Sequence, residues 1–311
     1  MATSEMEQAI RRQPAELARL LDDPAPVEEL AGLVRGRSVC LVGTGTSWHA
    51  ANHAAWLLRS ASTSAWPVQA IDAATYGSWR DFDTVLIFSH RNSKRYTTAI
   101  RADAEAAGLP VRVIGARGVG AEIETVEPER SSAFTVSHLG ALLRAAQLAT
   151  LLGAEIGDLA ALPAAVESVI ERGVTVAAPQ RLVEFTGVGP NAWTAAEGAL
   201  KARETSYVAT EGLSAEQLLH GPAVALDERD ALVVLDGGGP GSERVQAVGT
   251  AAAAAGVDVT TIAEPALGEA LSIFPLTTAV QLIALGLALE LGVDPDCFRS
   301  PAKPSWQGVG L

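Results

Sequence analysis

The sequence predicts an α/β protein made of two parallel-sheet α/β/α sandwiches in tandem. Three observations lead there. Short, continuously apolar runs alternate with longer alanine-rich helical stretches, the pattern of parallel strands covered on both faces. The alternation gives way to helical blocks over 132–152 and 159–172, then begins again at Arg181. Hydrophobic residues make up 48% of the 311-residue chain and charged ones 19%, enough apolar surface for a sizeable core.

The elements follow in order. Residues 5–21 have helical periodicity and enough polarity for a surface helix, which Asp22-Asp-Pro-Ala-Pro26 interrupts. Strands are expected at 38–43, 67–71, 84–88 and 111–114, with helices at 47–59 and 97–107. After the helical blocks, a strand at 181–186, a Gly187-Val-Gly189 turn and a helix over 191–204 open the second unit. Strands at 231–235 and 257–262 flank a helix over 243–255. The apolar stretch 276–291 carries Gln281 and Glu290 and falls short of the ~20 residues a bilayer span needs, so it reads as a buried helix. The division is expected between 1–155, the N-terminal helix with the first unit, and 156–311, the second unit with a C-terminal tail.

A formal charge of −13 and a pI near 4.9 argue against nucleic acid or an acidic membrane as partner. An anionic substrate therefore needs a local cationic or hydrogen-bonding pocket. Cys40 and Cys297 give neither a disulfide framework nor metal-ligand spacing. No basic leader precedes an apolar stretch, so no secretion signal is expected and cytoplasm is the default.

Five segments carry chemistry. In Ala195-Ala-Glu-Gly-Ala-Leu-Lys-Ala-Arg-Glu204, residues Glu197, Lys201 and Glu204 fall at i, i+4 and i+7, one stripe of a helix. Such stripes also decorate exposed helices. Leu218-Leu-His220-Gly-Pro222 places a histidine where a short helix, opened by the capping box Ser214-Ala-Glu-Gln217, stops. There His220 complements the helix dipole and suits a general acid. Gly43-Thr-Gly45-Thr46-Ser47-Trp48 joins a strand to a helix and offers hydroxyls and amides to an anion. Trp48 stands where a dinucleotide fingerprint needs glycine, and no Gly-Lys-Ser/Thr closes a P-loop. Ser89-His90-Arg91-Asn-Ser93-Lys94 lies at the C-terminal end of the third strand, the edge where open parallel sheets bind ligands. Its two serines, Arg91 and Lys94 suit a phosphate. Prolines flanking Ala302-Lys303 stiffen the tail and present one amine. His49 and His53 sit four apart but lack the glutamate of a zinc-protease helix, so no metal site is expected.

Together these motifs resemble the tandem sugar-isomerase (SIS) domain family, nearly end to end, and most closely its branch formed by the isomerase half of glucosamine-6-phosphate synthase and related aminosugar-phosphate deaminases. The resemblance is carried by Gln13-Pro14, Gly45-Thr-Ser47, Glu197-Gly-Ala-Leu-Lys201 with Glu204-Thr-Ser-Tyr207, His220-Gly-Pro222 and Ala302-Lys303. It implies that Glu204 shuttles a proton between C1 and C2 of an open-chain sugar phosphate. His220 would assist ring opening, often from the neighbouring subunit of a homodimer, and Lys201 and Lys303 would stabilise intermediates. Gly45, Thr46, Ser47, Ser89, His90, Arg91, Ser93 and Lys94 would hold the sugar phosphate, without metal or nucleotide cofactor. The phosphate loop departs from the family's Ser-Gln-Ser-Gly-Glu-Thr, which leaves the substrate's charge position open. Alanine at residue 2 and the lack of a glutaminase segment speak against glutamine-dependent amide transfer in one chain. The expected function is an aminosugar-phosphate deaminase/isomerase acting on a glucosamine 6-phosphate-like substrate. An aldose–ketose isomerase, a deglycase and a non-catalytic phosphosugar sensor are the alternatives.

Overall fold

The computed structural model describes residues 3–297. It contains two parallel sheets. The first comprises β1 (Val39–Gly43), β2 (Ala65–Gln69), β3 (Thr84–Phe88), β4 (Val111–Gly115) and β5 (Ile123–Glu124), in spatial order β2-β1-β3-β4-β5. The second comprises β6 (Val183–Gly187), β7 (Thr210–Ser214), β8 (Ala231–Asp236) and β9 (Asp258–Ala263), in order β7-β6-β8-β9. Each order reverses direction beside its first strand, which opens a crevice at the strands' C-terminal ends.

Helices cover both faces of each sheet. In the first, α3 (Thr46–Ser60) and α6 (Val136–Leu151) pack on Val39 and Leu41, while α4 (Ala70–Tyr76) and α5 (Arg95–Ala106) pack on Cys40 and Val42. This period-two division makes β1 apolar without a break. In the second, α7 (Leu162–Arg172), α8 (Asn191–Ser206) and α11 (Gly268–Glu290) lie against Phe185 and Val233. The opposite face, with Leu232 and Val234, is covered by α9 (Ala215–Leu219) and α10 (Ser242–Ala254).

Several elements depart from expectation. The strand expected at 67–71 is β2, set two residues earlier by the pairing of Val39 with Ala65, and α4 begins at Ala70. Pro67 is tolerated because β2 is an edge strand. The segment after Asp22 is not a plain break: Pro24-Ala-Pro26 starts a helix, α2 (Ala25–Val34), in which proline at the first turn removes only an unused donor. The apolar helix near the end is longer than expected. α11 runs 23 residues through Pro275 and is long and apolar enough to cross a membrane, but 83% of its most apolar window is buried inside the protein, as in a core helix.

The first helix, α1 (Glu5–Leu21), serves both cores. Met6 and Ile10 join the core of the second sheet, whereas Leu17 and Leu20 join that of the first. Its N-terminus is capped from the far end of the chain. The Asp296 carboxylate accepts the Glu5 and Met6 N–H groups, both at 2.8 Å. Inside, the Gln13 side-chain amide donates to Gln281 at 2.5 Å and accepts from Thr278 at 2.9 Å.

One acidic residue lies within a fully buried strand. Glu184, 1% exposed on central strand β6, stands in register with Glu211 on β7, and its Oε1 meets no hydrogen-bond partner among the described residues. Burial first, and the neighbouring Glu211 carboxylate second, push the Glu184 carboxyl up to about 8.

Candidate active site

The site is assembled from the glycine turn after β1, the loop after β3, and helices α3, α6 and α8. β1 must end in glycine: a Cβ on Gly43 would sit 2.1 Å from the Ser47 carbonyl oxygen. Gly45 then turns the chain with φ +58°, a conformation costly for other residues, and α3 starts at Thr46. The C-terminal ends of β3 and β4 face that turn. Between them lies a small cleft, open to solvent, whose polar lining includes Thr46, Ser47, Ser89, His90, Ser137 and His138. Among the described lining residues none is lysine or arginine.

Glu129 braces one wall from behind, through Ser137 and His90. Its carboxylate accepts the Thr135 and Ser137 N–H groups and both their hydroxyls, at 2.5–3.1 Å, and so caps the start of α6 from outside the helix. The Glu129 N–H donates to His90 Nε2 at 3.0 Å.

Behind the cleft, the α8 stripe is not a solvated face. Glu197 is 0% exposed and Lys201 1%, so the decorated-helix alternative fails for these two. Thr46 Oγ1 donates to Glu197 Oε1 at 3.1 Å, and His49 Nδ1 lies 2.6 Å from Glu197 Oε2. Lys201 Nζ lies 3.7 Å from Glu197 Oε1 and donates to Glu204 Oε2 at 2.6 Å. Burial would raise the Glu197 carboxyl, but Lys201, with His138 and His49, outweighs it and holds the group near 2. Burial would likewise depress Lys201; Glu204 and Glu197 outweigh it and keep the ammonium above its ordinary value. The result is a continuous polar path from the cleft at Thr46, through Glu197 and Lys201, to the partly exposed Glu204.

Histidines cluster here: of the chain's five, His49, His53, His90 and His138 surround the cleft or its rear wall. His53 Nδ1 bonds the His49 carbonyl at 2.9 Å, its Nε2 lies 3.1 Å from Thr194 Oγ1, and its ring meets that of His138 edge-on at 6.0 Å. Burial brings His53 down to about 3, and His90 and His138 to about 4, so all three rings are neutral near pH 7.

The expected site residues divide. Thr46, Ser47, Ser89 and His90 line the cleft, Gly45 forms its turn, and Lys201 and Glu204 stand together behind it. Arg91, Ser93 and Lys94 are exposed and do not line it; Arg91 instead donates to the Glu129 carbonyl at 3.3 Å and lies over the Phe134 ring. His220 ends α9 with its side chain 76% exposed and its Nδ1 on the Glu216 carbonyl at 2.7 Å, bonded to neither Lys201 nor Glu204. Lys303 lies outside the described residues. Sequence reasoning misses Glu129 and His138, which sit in no motif, and assigns no part to His49 beside Glu197.

No family model matches the chain. It is 29% identical to the glutamine–fructose-6-phosphate aminotransferase (isomerizing) of Zymomonas mobilis over 96% of this chain and 58% of that protein. The chain thus spans a little over half the length of that relative. Its fold matches that of tagatose-6-phosphate ketose/aldose isomerase from Escherichia coli, with a TM-score of 0.78, 19% identity and coverage of 94% and 95% of the two chains. It also matches glucosamine-6-phosphate deaminase from Thermotoga maritima, with a TM-score of 0.73, 18% identity and coverage of 94% and 97%. The two parallel sheets with alternating helices are therefore the α/β fold of the SIS phosphosugar isomerases.

Proposed function

We propose that this protein is an SIS-type sugar-phosphate enzyme, an aminosugar-phosphate deaminase/isomerase acting on a glucosamine 6-phosphate-like substrate. One observation carries the reading: a buried ammonium, Lys201, held between buried Glu197 and partly exposed Glu204 and 2.6 Å from the latter. A surface helix has no use for a lysine desolvated in this way, whereas proton transfer does. Similarity to an isomerizing aminotransferase and a fold shared with a deaminase and a ketose/aldose isomerase support the same chemistry.

In this reading Glu204 takes the proton from one of carbons 1 and 2 of the open-chain sugar and returns it to the other. Lys201 orients that carboxylate and offers positive charge to the enediol-like intermediate. Hydrolysis of the resulting imine consumes one water and releases ammonia with the ketose phosphate. Ring opening is the task of His220, delivered by a second copy of the chain in a homodimer, because its own ring is exposed and apart from Lys201 and Glu204. The common strand order of the two sheets, second-first-third-fourth, supports a tandem arrangement divided near residue 155.

The test is Glu204→Gln, assayed with glucosamine 6-phosphate for ammonia release and with fructose 6-phosphate for exchange of the carbon-bound proton in deuterated water. Loss of both activities with an unchanged circular-dichroism spectrum is expected. Near wild-type turnover in that variant refutes the proposal. Exchange without ammonia release from the wild type identifies the aldose–ketose reaction instead.

A further inference from the structure

Two imidazoles in the cleft have hydrogen-bonding capacity left unmet, and they are unmet in different ways. His90 Nε2 already accepts the Glu129 N–H, so in the neutral ring the proton is on Nδ1. That Nδ1 is buried and meets no acceptor among the described residues. His90 therefore has one donor to give and nothing left to accept with. His138 is 2% exposed and neither of its ring nitrogens has a partner among the described residues. A neutral ring in that position presents one donor and one acceptor at once. Burial is what keeps both rings neutral.

These two patterns match two different groups. An ionised phosphate only accepts, and suits His90. A hydroxyl both donates and accepts, and suits His138. With no lysine or arginine among the described lining residues, neutral donors have to carry the phosphate: His90, the Ser47 and Ser89 hydroxyls, and the N-terminal turn of α3. Ser137, next to His138, has its hydroxyl proton committed to Glu129 and retains lone pairs for a second hydroxyl.

We propose that His138 is a specificity-determining residue that reads the hydroxyl groups of a phosphorylated polyol in this cleft, with His90 at the phosphate end. The assignment rests on the sugar-phosphate reading above and adds the orientation of the ligand to it. Two buried nitrogens without partners are otherwise a pure desolvation penalty, which ligand oxygens remove.

The test is isothermal titration of fructose 6-phosphate, glucitol 6-phosphate and inorganic phosphate into the wild type, His138→Leu, His138→Gln and His90→Leu. His138→Leu should weaken both phosphosugars about tenfold or more and leave inorganic phosphate within about twofold. The glutamine substitution, which keeps a donor and an acceptor, should recover most of the loss. His90→Leu should weaken all three ligands. Unchanged phosphosugar affinity in His138→Leu overturns the assignment while the sugar-phosphate reading stands, and leaves His138 bonded to an internal water only. Equal weakening of inorganic phosphate moves His138 to the phosphate end and also overturns it. If the wild type binds no phosphosugar, the broader reading fails and this one with it. Should His138→Leu not fold, the ring nitrogen resonances of wild-type His138 decide: they must shift with fructose 6-phosphate and not with inorganic phosphate, and the opposite result overturns the proposal.

Discussion

Replacing Glu184 by glutamine should flatten the alkaline side of the stability curve. Glu184 is 1% exposed on β6 beside Glu211, and its carboxyl is raised from 4.5 to about 8. Between those two values the folded chain holds a proton that the unfolded chain has lost. Raising the pH through that window therefore favours unfolding, at up to about 1.4 kcal/mol per pH unit. Across the whole window the effect is on the order of 4 kcal/mol, a large share of a domain's net stability. Glutamine cannot ionise, and its amide can donate to the Glu211 carboxylate. Urea denaturation of the two proteins at pH 5, 6, 7 and 8 provides the assay. They should have similar midpoints at pH 5 and diverge steadily, with Glu184→Gln the more stable by about 3–4 kcal/mol at pH 8. Parallel stability curves from pH 5 to 8 would show that Glu184 ionises as in the unfolded chain and refute the argument.

On the acid side, the neutral rings of His53, His90 and His138, at about 3, 4 and 4, should cost stability as the pH falls below about 6.5, where the unfolded chain takes up protons that the folded chain refuses. A melting temperature that stays flat from pH 6.5 to 4.5 contradicts this. Lys201→Met removes the ammonium and leaves Glu197 buried with its charge less compensated, which should cost about 3–5 kcal/mol in urea unfolding at pH 7. A loss below about 1 kcal/mol would mean that water replaces the ammonium. Gly198→Ala puts a Cβ 2.9 Å from both Phe185 and Val280 where α8 meets α11, and should destabilise by about 1–3 kcal/mol. Gly32→Ala, with nothing within 4 Å, is the matched control and should be neutral or stabilising.

Strands buried on both faces were the most legible elements, since β1, β3 and β8 carry unbroken apolar runs that admit few other readings. Edge strand β7 is not legible in this way. Glu211 and Gly212 interrupt its pattern, and its place comes from pairing with β6 and from a close pass over α8, where a Cβ on Gly212 would sit 2.5 Å from the Ala195 carbonyl oxygen. The spacing of Glu197, Lys201 and Glu204 gives their common face, but spacing cannot say what covers it; α3, contributing Thr46 and His49, does. His138 belongs to no motif, because its meaning lies in the neighbours that a fold of α6 against β3 and β4 brings to it. Arg91 shows the same limit from the other side. A cation at a strand end suggests a phosphate ligand, and spacing cannot say that its guanidinium lies over Phe134.

The Asp296 carboxylate that closes the start of α1 has a temporal consequence. As the chain leaves the ribosome, α1 emerges well before α11, since its capping group lies 291 positions later and the partner of Gln13 lies 268 positions later. Met6 and Ile10 must wait for residues of the second sheet before they can leave water. Nascent chains arrested before α11 should therefore keep an adhesive apolar stripe in solution, a natural binding target for chaperones, and completion of the fold becomes a late, long-range ring closure between α1 and the segment that holds α11 and Asp296.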